Sequence, residues 1–181
     1  KFFSSTEYAI VDNGGIILHD RIVCPEWSNY IQSILKEYDL DGTCKIFCNL
    51  PGLISTPKIV DGKFVFVKSD EIDMCRKYLE DKLDSKIWQV SFQGKKIYAI
   101  PNEITKGNAL RFICKNLLPD NQLIVSAGDS NLDISMLDYS HYSIIPNDSS
   151  LSTLNTNRYI KLGDGIHTAD EILKFVKTLS T

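Results

Sequence analysis

The sequence predicts an α/β fold: a core with a parallel sheet, interrupted by an inserted α+β module. Three observations predict it. From about residue 102 to residue 181, strand-like apolar runs alternate with amphipathic helical ones, the pattern of an α/β layer. Within that region NQLIVSAGD (121–129) is an apolar, β-branched run ending in Gly-Asp, which is how a buried parallel strand reads when a polar site lies at its carboxyl end. The middle of the chain differs, with hairpin-like strand pairs and two helical stretches. The expected division is residues 1–20 and 102–181 for the core and 21–101 for the module, the latter with four strands and two helices. A chain of 181 residues suits a single compact domain or two small ones.

In order along the chain, YAIVDNGGIILHDRIV (8–23) gives two short strands around Asn13-Gly14-Gly15, where the double glycine permits positive φ and close backbone approach. PEWSNYIQSILKEY (25–38) carries Trp27, Tyr30, Ile31, Ile34, Leu35 and Tyr38 at helical spacing, with Pro25 suited to a first turn. CKIFCNL (44–50) is β-like, and PGLISTPKIVDG (51–62), with its prolines and glycines, is a loop. KFVFVK (63–68) is a strand, and Ser69 caps the helix SDEIDMCRKYLEDKL, with Glu71 and Asp73 near its positive end. KIWQVSFQ (86–93) and KKIYAIP (95–101) form a hairpin at Gly94. KGNALRFICKNLL (106–118) is an amphipathic helix, SNLDISMLDYS a short one, and HYSIIPND and RYIKL are strands. GDGIHTADEILKFVKTL closes with a helix for which Thr168 or Asp170 is the cap. Trp27, Trp88, Phe64 and Phe66 pack the core of the module, from which an aromatic could also reach a substrate.

Composition narrows the function. A net charge of -3 and a pI near 5.6 argue against nucleic-acid binding. No apolar run approaches the roughly 20 residues needed to span a bilayer, so no membrane role is expected. Cys24, Cys44, Cys48, Cys75 and Cys114 are odd in number and lack zinc-type spacing; Cys44 and Cys48 fall on one side of a strand, and buried thiols in a reducing, cytoplasmic setting are expected. His19, His141 and His167 share no triad or metal spacing and read as surface or turn residues. The chain starts on Lys1 and its first clear strand begins almost at once at Tyr8, as in a chain whose natural beginning is absent.

Two segments carry chemistry: EITKGNAL (103–110) and SAGDSNLDISML (126–137). Lys106 sits at a helix start, which favours an anion such as phosphate. Asp129 ends a buried strand and Asp133 follows four residues on, an arrangement suited to a hard cation. Mg²⁺ takes about six oxygen ligands, few of them from protein. Lysine with a magnesium-binding carboxylate is what phosphoryl transfer needs. Taken singly, Lys106 is an ordinary solvated lysine, Asp129-Ser130 an exposed turn, and Asp133 either a helix cap or a metal-site residue.

The ordered set NGG (13–15), ITKGNAL (104–110) and GDSNLDISML (128–137) resembles the haloacid dehalogenase superfamily of phosphatases, in the Cof-type and sucrose-phosphatase-like branch with a large inserted cap (the C2 type). The resemblance implies a Rossmann-like core with a parallel sheet, incomplete at the N-terminus, and an α+β cap at 21–101. It implies that Lys106 holds the phosphoryl group, that Asp129 binds Mg²⁺ with Asp133 supporting the metal shell, and that Ser130, Asn131, Asn13 and Gly14 border the phosphate pocket. Leu132 stands where the family commonly has asparagine, so a polar contact is expected to be missing. The family's nucleophile lies in DxDGT after an apolar strand, ahead of all these segments, and a second Ser/Thr motif also precedes NGG. Neither occurs within residues 1–12, where Phe2-Phe3 followed by Ser4, Ser5 and Thr6 is too short.

DLDGT does occur, at 39–43, but after residues of helical spacing and inside the cap. Asp39-Leu40-Asp41-Gly42 therefore reads as a turn, with Gly42 able to adopt a left-handed conformation. The function expected is a Mg²⁺-dependent phosphatase for a small phosphorylated metabolite such as a sugar phosphate, working through a phosphoaspartyl enzyme whose nucleophile lies outside this chain. The alternatives are a non-catalytic phosphate- or sugar-binding module of the same fold and a phosphomutase of the same superfamily.

Overall fold

The computed structural model describes residues 7–153 and 157–179. The stretch Phe2-Phe3 with Ser4, Ser5 and Thr6 lies outside them. The fold is mixed α/β and divides into two compact units. One comprises the described residues up to Ile22 and from Thr105 onward, the other Val23–Ile104.

In the first unit, strands β1 (Tyr8–Val11) and β2 (Ile16–His19) pair antiparallel, Ala9 against Leu18, and the two-residue β3 (Ile22–Val23) adds to the sheet. The turn between β1 and β2 places Asp12, Asn13 and Gly14 at φ 51°, 54° and 107°, left-handed conformations that Asn and Gly tolerate best. Strands β8 (Val125–Ala127), β9 (Tyr142–Ile145) and β10 (Tyr159–Lys161) form a parallel sheet in the order β10-β9-β8, so among the described residues β8 has one open edge. Helix α4 (Lys106–Asn116) precedes β8, and α5 (Ile134–Leu137) links β8 to β9. Leu137, Ile145 and Leu151 are fully buried together and fix α5, β9 and the turn after β9 to one another. Helix α6 (Thr168–Thr178) follows a 3₁₀ turn at Gly165–His167. Neither Thr168 nor Asp170 caps it, contrary to expectation: the 3₁₀ turn winds directly into α6, His167 takes the cap position, and Thr168 is already helical.

The second unit is a four-stranded antiparallel sheet, β4 (Lys58–Val60), β5 (Phe64–Lys68), β7 (Lys96–Pro101) and β6 (Trp88–Gln93) in that order, with helices α1 (Pro25–Leu35), α2 (Leu40–Phe47) and α3 (Ile72–Lys82). Pro25 opens α1, where its missing N–H costs nothing, and Trp27 and Ile31 form its buried stripe. Gly94, at φ 55°, turns the β6–β7 hairpin. Ser69 is buried, accepts from the Glu71 amide at 2.9 Å and donates to the Pro51 carbonyl at 2.7 Å, so its hydroxyl tethers the loop to the start of α3. Val65, Val67, Ile97, Ala99 and Trp88 meet Phe47, Leu50, Cys75 and Leu79 in one apolar core.

Several expectations fail in this unit, among them Ser69 as the cap of α3, since Glu71 takes that position. Residues 44–47 are helical, not β-like, so there are three helices instead of two. Leu40, Cys44 and Phe47 recur at three and four, and that stripe packs on the core. Gly42 is not left-handed: it lies in the first turn of α2, and its amide donates to Asp39 Oδ1 at 2.8 Å. The fourth strand is β4, inside the segment expected to be loop. Cys44 and Cys48 thus sit one helical turn apart, the Cys48 amide donating to the Cys44 carbonyl, and Cys48 is exposed. All five cysteines are free.

Candidate functional site

The site is built from three short segments of the first unit. The first is the loop that leaves β8: Gly128, Asp129, Ser130, then a 3₁₀ turn at Asn131–Asp133 that runs into α5. Its hub is Asp133, whose carboxylate is buried. Oδ2 accepts from the Asp129 amide (3.2 Å), the Ser130 amide (3.1 Å) and the Ser130 hydroxyl (2.9 Å). Oδ1 takes the Lys106 ammonium at 2.5 Å. Burial alone would push this carboxyl up, but Lys106 and the Ser130 donors outweigh it and hold the carboxyl below the usual aspartate range. A Cβ on Gly128 would come within 2.4 Å of Asp133 Cβ, so only glycine lets the loop close over the carboxylate.

The second segment is the start of α4. Thr105 caps it, accepting from the Asn108 amide at 3.0 Å, and the Gly107 amide donates to Ser135 Oγ at 3.1 Å. Two first-turn amides of α4 are therefore spent within the protein, and the cation offered here is the Lys106 side chain rather than the bare helix end. Gly107 packs against α5 so closely that a Cβ would meet the Ser135 carbonyl at 2.2 Å. The third segment is the β1–β2 turn: a Cβ on Gly14 would lie 2.3 Å from the Thr105 carbonyl group. The turn thus abuts the residue that caps α4.

Of the residues singled out in the sequence, Lys106 and Asp133 touch directly, Ser130 bonds Asp133, and Gly14 lies against Thr105 and Lys106. Asp129 and Asn131 are exposed and Asn13 is half-buried; no side chain of the described residues bonds the Asp129 carboxylate. Asp133 closes a capping box with Ser130 as its third residue, makes no side-chain cap bond to α5 itself, and holds Lys106. Leu132 is buried, so an apolar packing residue fills that position. Asp39 belongs to the other unit and caps α2. Sequence reasoning missed Thr105, Ser135 and Ser150, the hydroxyls that hold the segments in place. Thr-x-x-Asn at a helix start signals the first, and nothing local signals the other two. As for a metal, no group of three or more His, Cys, Asp or Glu side chains among the described residues is arranged to hold one. The donor set fits only an ion that takes few protein ligands: a free carboxylate oxygen pair on Asp129 beside a fully engaged Asp133.

Comparison with known proteins gives a consistent fold. A sucrose-phosphatase from Synechocystis sp. PCC6803, solved with sucrose and phosphate, matches with a TM-score of 0.75 at 19% identity, over 97% of this chain and 75% of that one. The HAD subclass IIB sugar phosphatase BT4131 matches at 0.62 and 13% identity, over 96% and 76%. A haloacid dehalogenase-like hydrolase from B. subtilis matches at 0.60 and 13%, over 95% and 79%. No curated protein matches the chain in sequence. The family model of haloacid dehalogenase-like hydrolases spans residues 48–161, which takes in Lys106, Asp129 and Asp133. The chain belongs to the haloacid dehalogenase-like hydrolases.

Proposed function

We propose that the protein is a Mg²⁺-dependent phosphatase acting on a small phosphorylated metabolite. The sucrose-phosphatase and sugar-phosphatase neighbours support a sugar phosphate as the substrate class. The observation that carries the reading is the Lys106–Asp133 pair at 2.5 Å, next to a loop that leaves the Asp129 carboxylate unengaged at the end of a parallel strand. Lys106 neutralises charge on the phosphoryl group, and Asp133 holds its ammonium in place. Asp129 is the carboxylate offered to the metal; Asp133, with both oxygens engaged, supports it from behind. Bound Mg²⁺ supplies further charge neutralisation at the phosphoryl oxygens. Asn13, Gly14, Ser130 and Asn131 border the phosphate. The five free thiols support a reducing, cytoplasmic setting.

The nucleophile in this reading is an aspartate that these 181 residues do not supply, on a strand that can pair with the edge of β8 left open among the described residues. Its carboxylate attacks phosphorus, the alcohol leaves with a proton from a general acid, and water then hydrolyses the acyl phosphate, returning the carboxylate and free phosphate. The test is phosphate release from a panel of sugar phosphates, with and without Mg²⁺, by the full gene product and its Lys106→Ala form. A loss of about 10²-fold or more is expected for Lys106→Ala, and full activity would sink the site assignment. One observation favours a second reading, a non-catalytic phosphate- or sugar-binding module: Asp39, the first aspartate of DLDGT, is occupied in capping α2. Phosphate binding without turnover in the same panel selects it.

A further inference from the structure

We propose that Ser150 is a positioning residue for Asp129, an inference that rests on reading Asp129 as the metal carboxylate. The Ser150 hydroxyl donates to the Asp129 carbonyl at 2.9 Å. The same peptide group is held at its other end, because the Ser130 amide donates to Asp133 Oδ2 at 3.1 Å. The Asp129 amide donates to that oxygen as well, at 3.2 Å. With its own N–H and both ends of the following peptide fixed, Asp129 retains only side-chain rotation, and its Cα–Cβ direction is set by the frame. Asp133 belongs to the Lys106 pair, whereas Ser150 reaches the loop from a separate element, the 3₁₀ turn Ser150–Thr153 after β9.

That turn is anchored by packing and hydrogen bonds. Leu151, the neighbour of Ser150, is fully buried against Leu137 and Ile145, so the turn is keyed to the helix that Asp133 leads into and to the strand paired with β8. Lys161 Nζ donates to the Ser152 carbonyl at 2.7 Å, and Ser152 Oγ to the Ser149 carbonyl at 2.7 Å, closing the turn on both sides. A carboxylate that supplies one of few protein ligands to an ion gains affinity from being held in place before the ion arrives.

The test is Mg²⁺ affinity read from the Asp129 and Ser130 amide chemical shifts of the ¹⁵N-labelled full gene product. Ser150→Ala is expected to weaken Mg²⁺ by roughly tenfold, the lower end of what loss of an outer-shell partner costs. Ser150→Thr, which keeps the hydroxyl, restores the affinity, and urea unfolding shows both variants folded, with the midpoint of Ser150→Ala lowered only by the loss of one hydrogen bond. Wild-type affinity in Ser150→Ala, with binding lost in Asp129→Asn, overturns the role of Ser150 and leaves the reading of Asp129 standing. Equal weakening in Ser150→Ala and Ser150→Thr also overturns it, since the hydroxyl is then not what matters. Unchanged affinity in Asp129→Asn, or no response in the wild type, removes the metal reading itself and this inference with it.

Discussion

Replacing Asp133 with asparagine is the sharpest perturbation of the site, because the shape is kept and only the charge and acceptor pattern change. The carboxylate accepts four hydrogen bonds: one from Lys106, two from Ser130 and one from the Asp129 amide. The amide has one acceptor oxygen, so its NH₂ must face either the Lys106 ammonium or the three loop donors. Either choice sets donor against donor in a buried place. Breaking a fully buried charge pair costs roughly 3–5 kcal/mol. The Lys106 side chain is 31% exposed and can turn to water, whereas Asp133 is 6% exposed and cannot, so the expected loss is about 2–3 kcal/mol. Urea unfolding measures it as a fall in midpoint at constant slope. The pH dependence adds a second readout. The folded-state pKa of Asp133 is depressed, so the folded state binds fewer protons than the unfolded one in the acid range. The stabilisation is complete above the unfolded aspartate value of about 3.9 and is lost as pH falls through the folded value. The gap between wild type and Asp133→Asn should therefore be constant from neutral pH down to about pH 5 and shrink below about pH 4. A loss under about 0.5 kcal/mol at pH 7, the size of an ordinary surface change, or a gap that does not narrow in acid, refutes the view of Asp133 as the charged hub.

Other outcomes follow from the same geometry. Gly14→Ala places a Cβ 2.3 Å from the Thr105 carbonyl group at φ 107°, and strain plus overpacking should cost about 3 kcal/mol in thermal unfolding, where an unshifted Tm contradicts the close approach. Asp39→Ala should cost about 1 kcal/mol through the lost cap while leaving any Mg²⁺-dependent phosphate release intact, and Asp39→Asn should be close to neutral. Turnover abolished by Asp39→Asn at unchanged stability would return DLDGT to the chemistry.

The contrast between 37–50 and 103–137 shows what a single sequence can reveal. Lys106, Asp129 and Asp133 stand out because Lys106 opens an amphipathic helix, Asp129 follows an apolar run that ends in Gly-Asp, and Asp133 lies four residues on. The parallel sheet is legible too, since the runs that hold β8 and β9 carry Ile124, Val125, Ile144 and Ile145 and are bounded by polar turns. What brings those segments together is only hinted at, by the double glycine that lets the β1–β2 turn lie against Thr105. The hydroxyls of Ser135 and Ser150 leave no mark in the sequence, because each acts on a backbone group far along the chain. Residues 44–50 mislead for a different reason. CKIFC is too short to show whether its apolar period is two or near four, and its surroundings decide. Phe47 and Leu50 are buried with Val65 and Val67 of β5 and Leu79 of α3, partners met only later in the chain, and that packing makes the run a helix. Once α2 is a helix, Asp39 three residues before Gly42 is a helix cap, and the most conspicuous string in the sequence forms the start of that helix.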